Sequence, residues 1–247
     1  MKKILCSIRA IYKITFLFLI LLVPRCSLYS QVNLNYKEIF GKQYFEAINY
    51  LNSNQWITNT LIRNKIDPCF AKSVIFPELI RYSYIRDKME IQALKTLYVQ
   101  YGPTYADFSI GRFQIKPTFA EKLETDLKTI ACFKHDAEVE QIDTAQTNHA
   151  RLQRVKRLDS EKWQVQYLIW FIKVMDYKYP SISGSLNLNH VWFYATAYNC
   201  GYYLPEKQIR ENMAKNYFHT ALFSSNERYN YGSVSSYFWS QCRQSEK

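Results

Sequence analysis

The stretch "DPCFAKSVIFPELIRYS" (67–83) has the features of a helix that is apolar over most of its surface. Asp67 is a good N-cap residue, and Pro68 suits the first helical position. A second proline, Pro77, cannot donate the helical hydrogen bond and clashes with the preceding turn, so we expect the helix to kink or end there. Glu78 follows directly, as a carboxylate among apolar neighbours. The position of this helix decides both the fold and the role of that carboxylate.

Glu78 has two interpretations. On an amphipathic helix it would lie on an exposed stripe while its apolar neighbours face inward. Alternatively, the break at Pro77 would let the side chain leave the regular surface and become partly buried. Burial disfavours the charged form and raises the pKa of a carboxyl group. A carboxylic acid that stays protonated near neutral pH is what cleavage of a glycosidic bond requires, because the leaving oxygen must receive a proton.

Outward from this stretch, apolar residues recur at helical spacing, and extended alternating runs are few. The segments with the helical pattern are 37–52, 67–87, 87–102, 116–130, 135–158, 159–179 and 190–201, with Asn189 as the expected cap of the last. No repeat or Gly/Ser linker divides residues 31–247. The sequence therefore predicts one mainly α-helical domain, with a few short strands or turns between 102 and 116.

The first thirty residues predict a signal peptide. A positively charged start precedes a run of ten mainly apolar residues, 14–23, and Ser30 offers a small residue before a cleavage site. Ten residues are too few to cross a bilayer core, which takes about 20, although an uncleaved membrane anchor remains the alternative. Charged residues within 159–179 exclude a membrane span there. We therefore expect an exported protein of the periplasm or cell envelope, without stable membrane insertion after cleavage.

Four cysteines remain after export: Cys69, Cys132, Cys200 and Cys242. In an oxidising compartment one or two disulfides are plausible, and four cysteines allow three full pairings, which stay open here. Their wide spacing does not fit a zinc site, which uses close pairs. The four histidines are dispersed as well. No metal or cofactor is expected.

The chain is basic, with a formal net charge of +11, and five of its 32 basic residues lie in the leader. A moderately basic exported protein suits an anionic partner such as a cell-wall polymer or a membrane surface. The densest basic run, "RLQRVKRLDSEK" (151–162), is interpreted as a solvated helix face. Other basic residues are scattered without a DNA- or RNA-binding motif, so no nucleic-acid partner is expected.

Three further segments follow Glu78 in order: "SIGRFQIKPTFA" (109–120), "ATAYNCG" (195–201) and "ERYNYGSV" (227–234). Together they resemble the lytic transglycosylases of the soluble lytic transglycosylase type, in the lysozyme-like superfamily. The resemblance covers residues 65–240, and it consists of four motifs in the right order, each of them weak alone.

The correspondence is residue by residue. Glu78 takes the place of the family's catalytic acid. The matching positions of the later motifs are Gly111, Gln114, Ile115, Pro117 and Ala120, then Ala197, Tyr198, Asn199 and Gly201, then Glu227 and Tyr231. The chain departs from the pattern at Leu79, where the family has serine, and at Arg112 and Phe113, where it has Leu-Met. The stretch between Glu78 and Gly111 is also longer than usual.

This resemblance implies a lysozyme-like helical domain with a substrate cleft, and peptidoglycan glycan strands as the substrate. It implies Glu78 as the catalytic acid, with Gln114, Tyr198, Asn199 and Tyr231 binding substrate. The family cleaves the β-1,4 bond between N-acetylmuramic acid and N-acetylglucosamine and forms a 1,6-anhydro product, with one glutamate acting first as acid and then as base.

Two alternatives to this activity stay open. Hydrolysis, as in a lysozyme-like muramidase, would use a second carboxylate facing Glu78. Asp87, Glu90 and Asp107 are the candidates. A non-catalytic wall-binding protein with a decayed site is the other alternative, and Leu79 is its main support. The aromatic residues that would stack on sugar rings are Phe113, Tyr202 and Tyr203.

Overall fold

The computed structural model describes residues 34–82, 88–220 and 227–245, and within them the chain is mainly α-helical, which confirms the predicted fold class. In chain order the helices are α1 (Tyr36–Ser53), α2 (Gln55–Arg63), α3 (Pro68–Tyr82), α4 (Lys88–Tyr101), α5 (Pro117–Thr129), α6 (Lys134–Val139), α7 (Asn148–Asp159), α8 (Glu161–Lys178), α9 (Pro180–Ser183), α10 (Leu188–Cys200), α11 (Glu206–Met213) and α12 (Tyr231–Ser245). Of the short strands or turns expected between 102 and 116, the structure has turns and an isolated β-bridge, Ile110–Ile115. A second isolated bridge in the described residues joins Phe218 and Tyr229.

The predicted signal peptide, residues 1–30, lies outside the described residues. The chain divides into two compact units between Asn35 and Tyr36, and every described helix belongs to the second. In the part of the chain that the structure describes, no helix is both long and apolar enough to cross a membrane.

Helix α3 is buried on nearly all sides. It packs against α1, α10 and α12, and its residues from Ser73 to Ile80 are all buried. Its start is as predicted, because Asp67 Oδ1 accepts a hydrogen bond of 2.7 Å from the Phe70 amide. Of the two outcomes expected at Pro77, a kink or an end, the end does not occur, since the helix continues to Tyr82. Packing on both sides of the proline holds the helix together, so tertiary contacts override the local preference.

One disulfide, Cys69–Cys242, joins the start of α3 to α12, with the two Cα atoms 5.8 Å apart. Cys132 is exposed and Cys200 is half-buried, and neither is in a disulfide. Of the pairings that the sequence left open, the structure therefore contains a single bridge. It fixes the helix that carries Glu78 to the helix that carries Tyr231.

The basic run 151–162 is not a solvated face. Arg154 is fully buried and Arg157 nearly so, and both contact the buried carboxylate of Glu124 on α5, at 2.7 and 2.8 Å. The Tyr167 hydroxyl donates to the same carboxylate. A buried charge must be paired and hydrogen-bonded, and Glu124 supplies that pairing from 30 residues away in sequence. The run therefore ties α7 to α5 and α8 inside the protein.

Two boundaries differ from the predicted helices. The cap of α10 is Asn187, whose side chain accepts from the His190 amide at 3.0 Å, and not Asn189, which lies inside the helix. The segment 135–158 is not one helix, because α6 ends at Val139 and α7 starts at Asn148. Thr147 marks the restart by capping α7 through its side chain. Short polar residues that accept from the backbone thus decide both starts.

Candidate active site

An open cavity lies where α3, the α4–α5 loop, the start of α5 and the end of α10 meet. Polar and charged side chains make up much of its wall. Its lining residues are Glu78, Arg81, Asp107, Ser109, Gln114, Ile115, Lys116, Thr118, Phe119, Tyr198, Asn199, Cys200, Gly201 and Tyr203. The sequence-predicted residues Glu78, Gln114, Tyr198 and Asn199 thus share one cavity, although they are far apart along the chain.

Glu78 lines this cavity while being only 4% exposed. Burial raises the pKa of its carboxyl group, and the charges of Arg81 and Lys116 and a hydrogen bond with Tyr231 oppose that shift only in part. Its Oε2 atom lies 3.4 Å from Arg81 Nε and has no hydrogen-bond partner among the described residues. A buried acceptor without a donor is costly, so this oxygen lacks the hydrogen bond that would stabilise a carboxylate.

Two tyrosine hydroxyls surround the carboxyl group. The buried Tyr231 hydroxyl lies 3.1 Å from the Val74 carbonyl oxygen and also interacts with Glu78, so its single proton can be donated to either acceptor. Tyr231 does not line the cavity. The Tyr198 hydroxyl donates to the Phe113 carbonyl at 2.8 Å. Burial and the neighbouring Glu78 charge raise the pKa of both phenols. Tyr231 therefore positions the acid from behind, and Tyr198 ties α10 to the α4–α5 loop.

Gln114 lies in a tight turn closed by the bridge between Ile110 and Ile115. Its backbone φ is 52°, in the left-handed region that side chains rarely adopt. The side-chain Nε2 donates to the Gly111 carbonyl at 2.6 Å, and the buried Oε1 has no partner among the described residues. Strain of this kind often marks functional sites. One of the two N–H bonds of the amide is used in this way, and the unpartnered Oε1 is the acceptor that Gln114 can offer.

Gln164 of α8 holds this turn from below. Its Oε1 accepts from the Phe113 amide at 2.8 Å, and its Nε2 donates to the Leu158 carbonyl at 2.8 Å. The side chain packs so closely against Gly111 that a Cβ there would meet Nε2 at 1.9 Å. Gly111 also has a φ of +71°. Only glycine therefore fits this position.

We expect Gly111→Ala to destabilise the protein by about 2–4 kcal/mol. A left-handed alanine costs about 1–2 kcal/mol, and displacing Gln164 leaves buried polar groups unpaired at about 1–3 kcal/mol. Thermal unfolding measures the loss. Gly102→Ala is the control, because Gly102 also has a positive φ, +83°, but an added Cβ there would lie an ordinary 3.6 Å from Arg151 Nη1. Equal losses in the two variants would contradict the role given to Gln164.

Among the described residues, Asp107 is the candidate second acid that lines the cavity. Its Oδ1 accepts from the Thr118 amide at 3.0 Å and its Oδ2 from the Thr118 hydroxyl at 2.9 Å, so it caps the start of α5. Lys116 Nζ lies 3.9 Å from Oδ2. Glu90 is exposed on α4 and does not line the cavity, and Asp87 lies outside the described residues.

The structure corrects part of the aromatic prediction. Phe113 and Tyr202 are 0% and 1% exposed, so they belong to the core and cannot stack on a ligand. Tyr203 is 44% exposed and lines the cavity, so it offers a face. Glu227 is exposed, accepts from the Tyr229 hydroxyl at 2.5 Å and does not line the cavity.

Sequence reasoning missed the cations of the cavity, Arg81 and Lys116. The sequence could have indicated Arg81, because it follows Glu78 by three positions and residues three apart lie on one side of a helix. No sequence pattern indicated Lys116, since its position depends on the turn at Gln114. Among the described residues, no three His, Cys, Asp or Glu side chains form a group that could hold a metal ion.

Comparison of the chain with protein-family models, with curated proteins and with solved structures finds no match. The chemistry of the cavity and the order of the four motifs are therefore what supports a function. A buried acid, an amide acceptor and an exposed aromatic face around an open cavity suit proton transfer to a polar, ring-containing substrate.

Proposed function

We propose that this protein is a lytic transglycosylase that cleaves the β-1,4 bond between N-acetylmuramic acid and N-acetylglucosamine in peptidoglycan. The observation that carries the proposal is the Glu78 carboxyl group, which is buried, raised in pKa and yet open to a cavity. A neutral carboxylic acid in such a place is a proton donor. The four ordered motifs connect that chemistry to this substrate.

The reaction would use Glu78 twice. First, the acid donates its proton to the glycosidic oxygen as the bond from that oxygen to the anomeric carbon breaks, and positive charge develops on the carbon. Next, the carboxylate takes the proton of the muramic acid 6-hydroxyl as the hydroxyl oxygen bonds to the same carbon. One product ends in a 1,6-anhydro ring and the other in a free hydroxyl. Glu78 is protonated again, and no water is consumed.

The other residues would bind and orient the sugar. Gln114 Oε1, buried and without a partner among the described residues, would accept a hydrogen bond from a hydroxyl or an acetamido N–H. The Asn199 amide lines the same wall and would bind an N-acetyl group. Tyr203 would stack on a ring. Tyr231 acts through Glu78, because its hydroxyl contacts the acid and not the cavity.

Hydrolysis is the second candidate, and Asp107 favours it. A carboxylate in the same cavity as the acid is the arrangement that activates a water molecule in inverting glycosidases. Against this, both Asp107 oxygens already accept hydrogen bonds from Thr118. This capping of α5 gives Asp107 a structural task, and the lytic reaction is preferred for that reason. Each Asp107 oxygen still has a lone pair that could accept a hydrogen bond from water, which keeps hydrolysis as the alternative.

The proposed setting is the cell envelope, after export. The Cys69–Cys242 disulfide supports it, because disulfides persist in oxidising compartments. Without the five basic residues of the predicted leader, the formal net charge falls from +11 to +6, which still suits an anionic wall polymer. The buried, paired arginines of the run 151–162 offer little to a nucleic acid.

Digestion of purified peptidoglycan, followed by mass spectrometry of the fragments, tests the proposal. We expect fragments with 1,6-anhydromuramic ends. Fragments heavier by one water would show hydrolysis and would assign Asp107 the second role. Intact glycan that nonetheless retains the protein would show a wall-binding protein, and either of these results would overturn lytic cleavage. Asp107→Asn separates the first two, since only the hydrolytic reaction needs that carboxylate.

A further inference from the structure

Among the described residues, Arg81 forms the ion pair of the acid. Its Nε lies 3.4 Å from Glu78 Oε2, and both residues are on α3, three positions apart. We infer that Arg81 is a positioning residue that steadies the ionised form of Glu78 between the two proton transfers. This inference rests on the proposed function for its place in the reaction. The contact itself does not depend on which bond is cleaved.

Arg81 and Glu78 form an ion pair without a hydrogen bond between Nε and Oε2. A separation of 3.4 Å is longer than a good charge-assisted hydrogen bond of about 2.7–2.9 Å, and Arg81 Nε is buried without a hydrogen-bond partner among the described residues. The guanidinium group lies 5.1 Å from the centroid of the Phe218 ring, where a cation is attracted to the aromatic face. Phe218 is itself fully buried. The aromatic ring thus holds the cation in place while leaving its N–H free for the carboxylate.

Three elements bring further titratable or charged groups towards Glu78. Lys116 and Asp107 come from the loop before α5, Tyr198 and Cys200 from α10, and Tyr231 from α12. Lys116 is largely exposed and lies beside Asp107, so water and that carboxylate weaken its effect. The two phenols and the thiol are neutral at physiological pH, since burial raises the pKa of each. Arg81 is therefore the cation best placed to stabilise a charge on Glu78.

The proposed reaction makes opposite demands on the surroundings of Glu78 at its two steps, and the position of Arg81 suits both. The acid must be neutral to donate its proton, and burial provides that. Once the proton has left, the same burial penalises the carboxylate, which forms where few water molecules can solvate it. A cation that moves less than one ångström to close its hydrogen bonds would offset the penalty at that moment. The gap between Arg81 and Glu78 leaves room for this movement.

The first measurement is the pH profile of wall cleavage in Arg81→Met and Arg81→Lys. Without the cation, we expect the alkaline limb to move up by about one pH unit or more, and kcat to fall about 10–100-fold. Arg81→Lys keeps the positive charge and should restore most of kcat and most of the original position of the alkaline limb. Arg210→Met is the matched control, because Arg210 also pairs with a glutamate on its own helix and lies 5.1 Å from a buried phenylalanine, Phe193. An unmoved limb in Arg81→Met, or the same change in Arg210→Met, would overturn the inference.

A second measurement does not need enzymatic activity. The stability difference between the parent and Glu78→Gln, followed against pH, reports the pKa of Glu78. Because that pKa is raised on folding, the parent loses stability relative to the Gln variant as pH rises above the unfolded value of about 4.5. In an Arg81→Met background the loss should extend to higher pH. If the loss extends to higher pH but the protein does not cleave peptidoglycan, Arg81 controls the pKa of Glu78 and the proposed function fails. If the stability difference follows the same pH dependence with and without Arg81, the inference about Arg81 fails whatever the activity.

Discussion

Glu78→Gln should reduce the cleavage of peptidoglycan by about 10³-fold, within the range lost when a general acid is removed. The amide keeps the size and shape of the carboxyl group, so the cavity should remain intact. It cannot give up a proton to the glycosidic oxygen or take one from the 6-hydroxyl. Both steps of the proposed reaction are therefore lost together, and we expect kcat to fall while binding of glycan is largely kept. Release of soluble fragments from purified walls measures the effect.

Two comparisons make the result specific. Glu90→Gln changes an exposed glutamate of α4 that does not line the cavity, and it should cleave walls at the parent rate. Circular dichroism and thermal unfolding show whether Glu78→Gln is folded, and near neutral pH we expect it to be at least as stable as the parent, because a buried ionisable group has been removed. Cleavage at the parent rate by folded Glu78→Gln would remove this residue from the mechanism.

The helical fold was predictable because its strongest signals are local. The Asp67 cap, the apolar run of α3 and the spacing within 116–130 and 159–179 each depend on residues a few positions apart. Pro77 was misleading for the same reason. Its local effect is real, but the packing of α3 inside the protein, which no short window contains, decides the outcome.

The basic run shows what local patterns cannot provide. Arg151, Arg154 and Arg157 recur every three residues and lie on one side of α7, as a solvated stripe would. Their burial depends on Glu124, which α5 brings from elsewhere in the chain. Phe113 and Tyr202 are the reverse case. Their residue type suits sugar stacking, but the core buries them.

The sequence predicted which residues belong to the candidate site but not how they are arranged in space. The order of the motifs indicated Glu78, Gln114, Tyr198 and Asn199, and these four line one cavity. The sequence could not show that Tyr231 approaches the acid from behind. Nor could it show that Asp107 caps α5 within the cavity wall, because that depends on how the α4–α5 loop folds against Thr118.

Loss of the Cys69–Cys242 disulfide should destabilise the protein by about 3–5 kcal/mol. The bridge closes a loop of 173 residues in sequence, and a cross-link over so long a loop restricts the unfolded chain strongly, although measured effects usually fall below the entropic limit. At about 2–4 °C per kcal/mol for a domain of this size, the unfolding temperature of the Cys69→Ser, Cys242→Ser double variant should fall by about 6–20 °C.

The loss should also reach the site, because the bridge joins α3 to α12 and these helices carry Glu78 and Tyr231. Below its unfolding temperature, the double variant should retain glycan binding but cleave more slowly, since Tyr231 no longer holds the acid as firmly. Cys132→Ser is the control, which removes an exposed sulfur atom outside the cavity wall and no bridge. A reducing agent should lower the unfolding temperature of the parent and leave that of the bridge-free variant unchanged. An equal response of both to the reductant would mean that the bridge does not stabilise the fold.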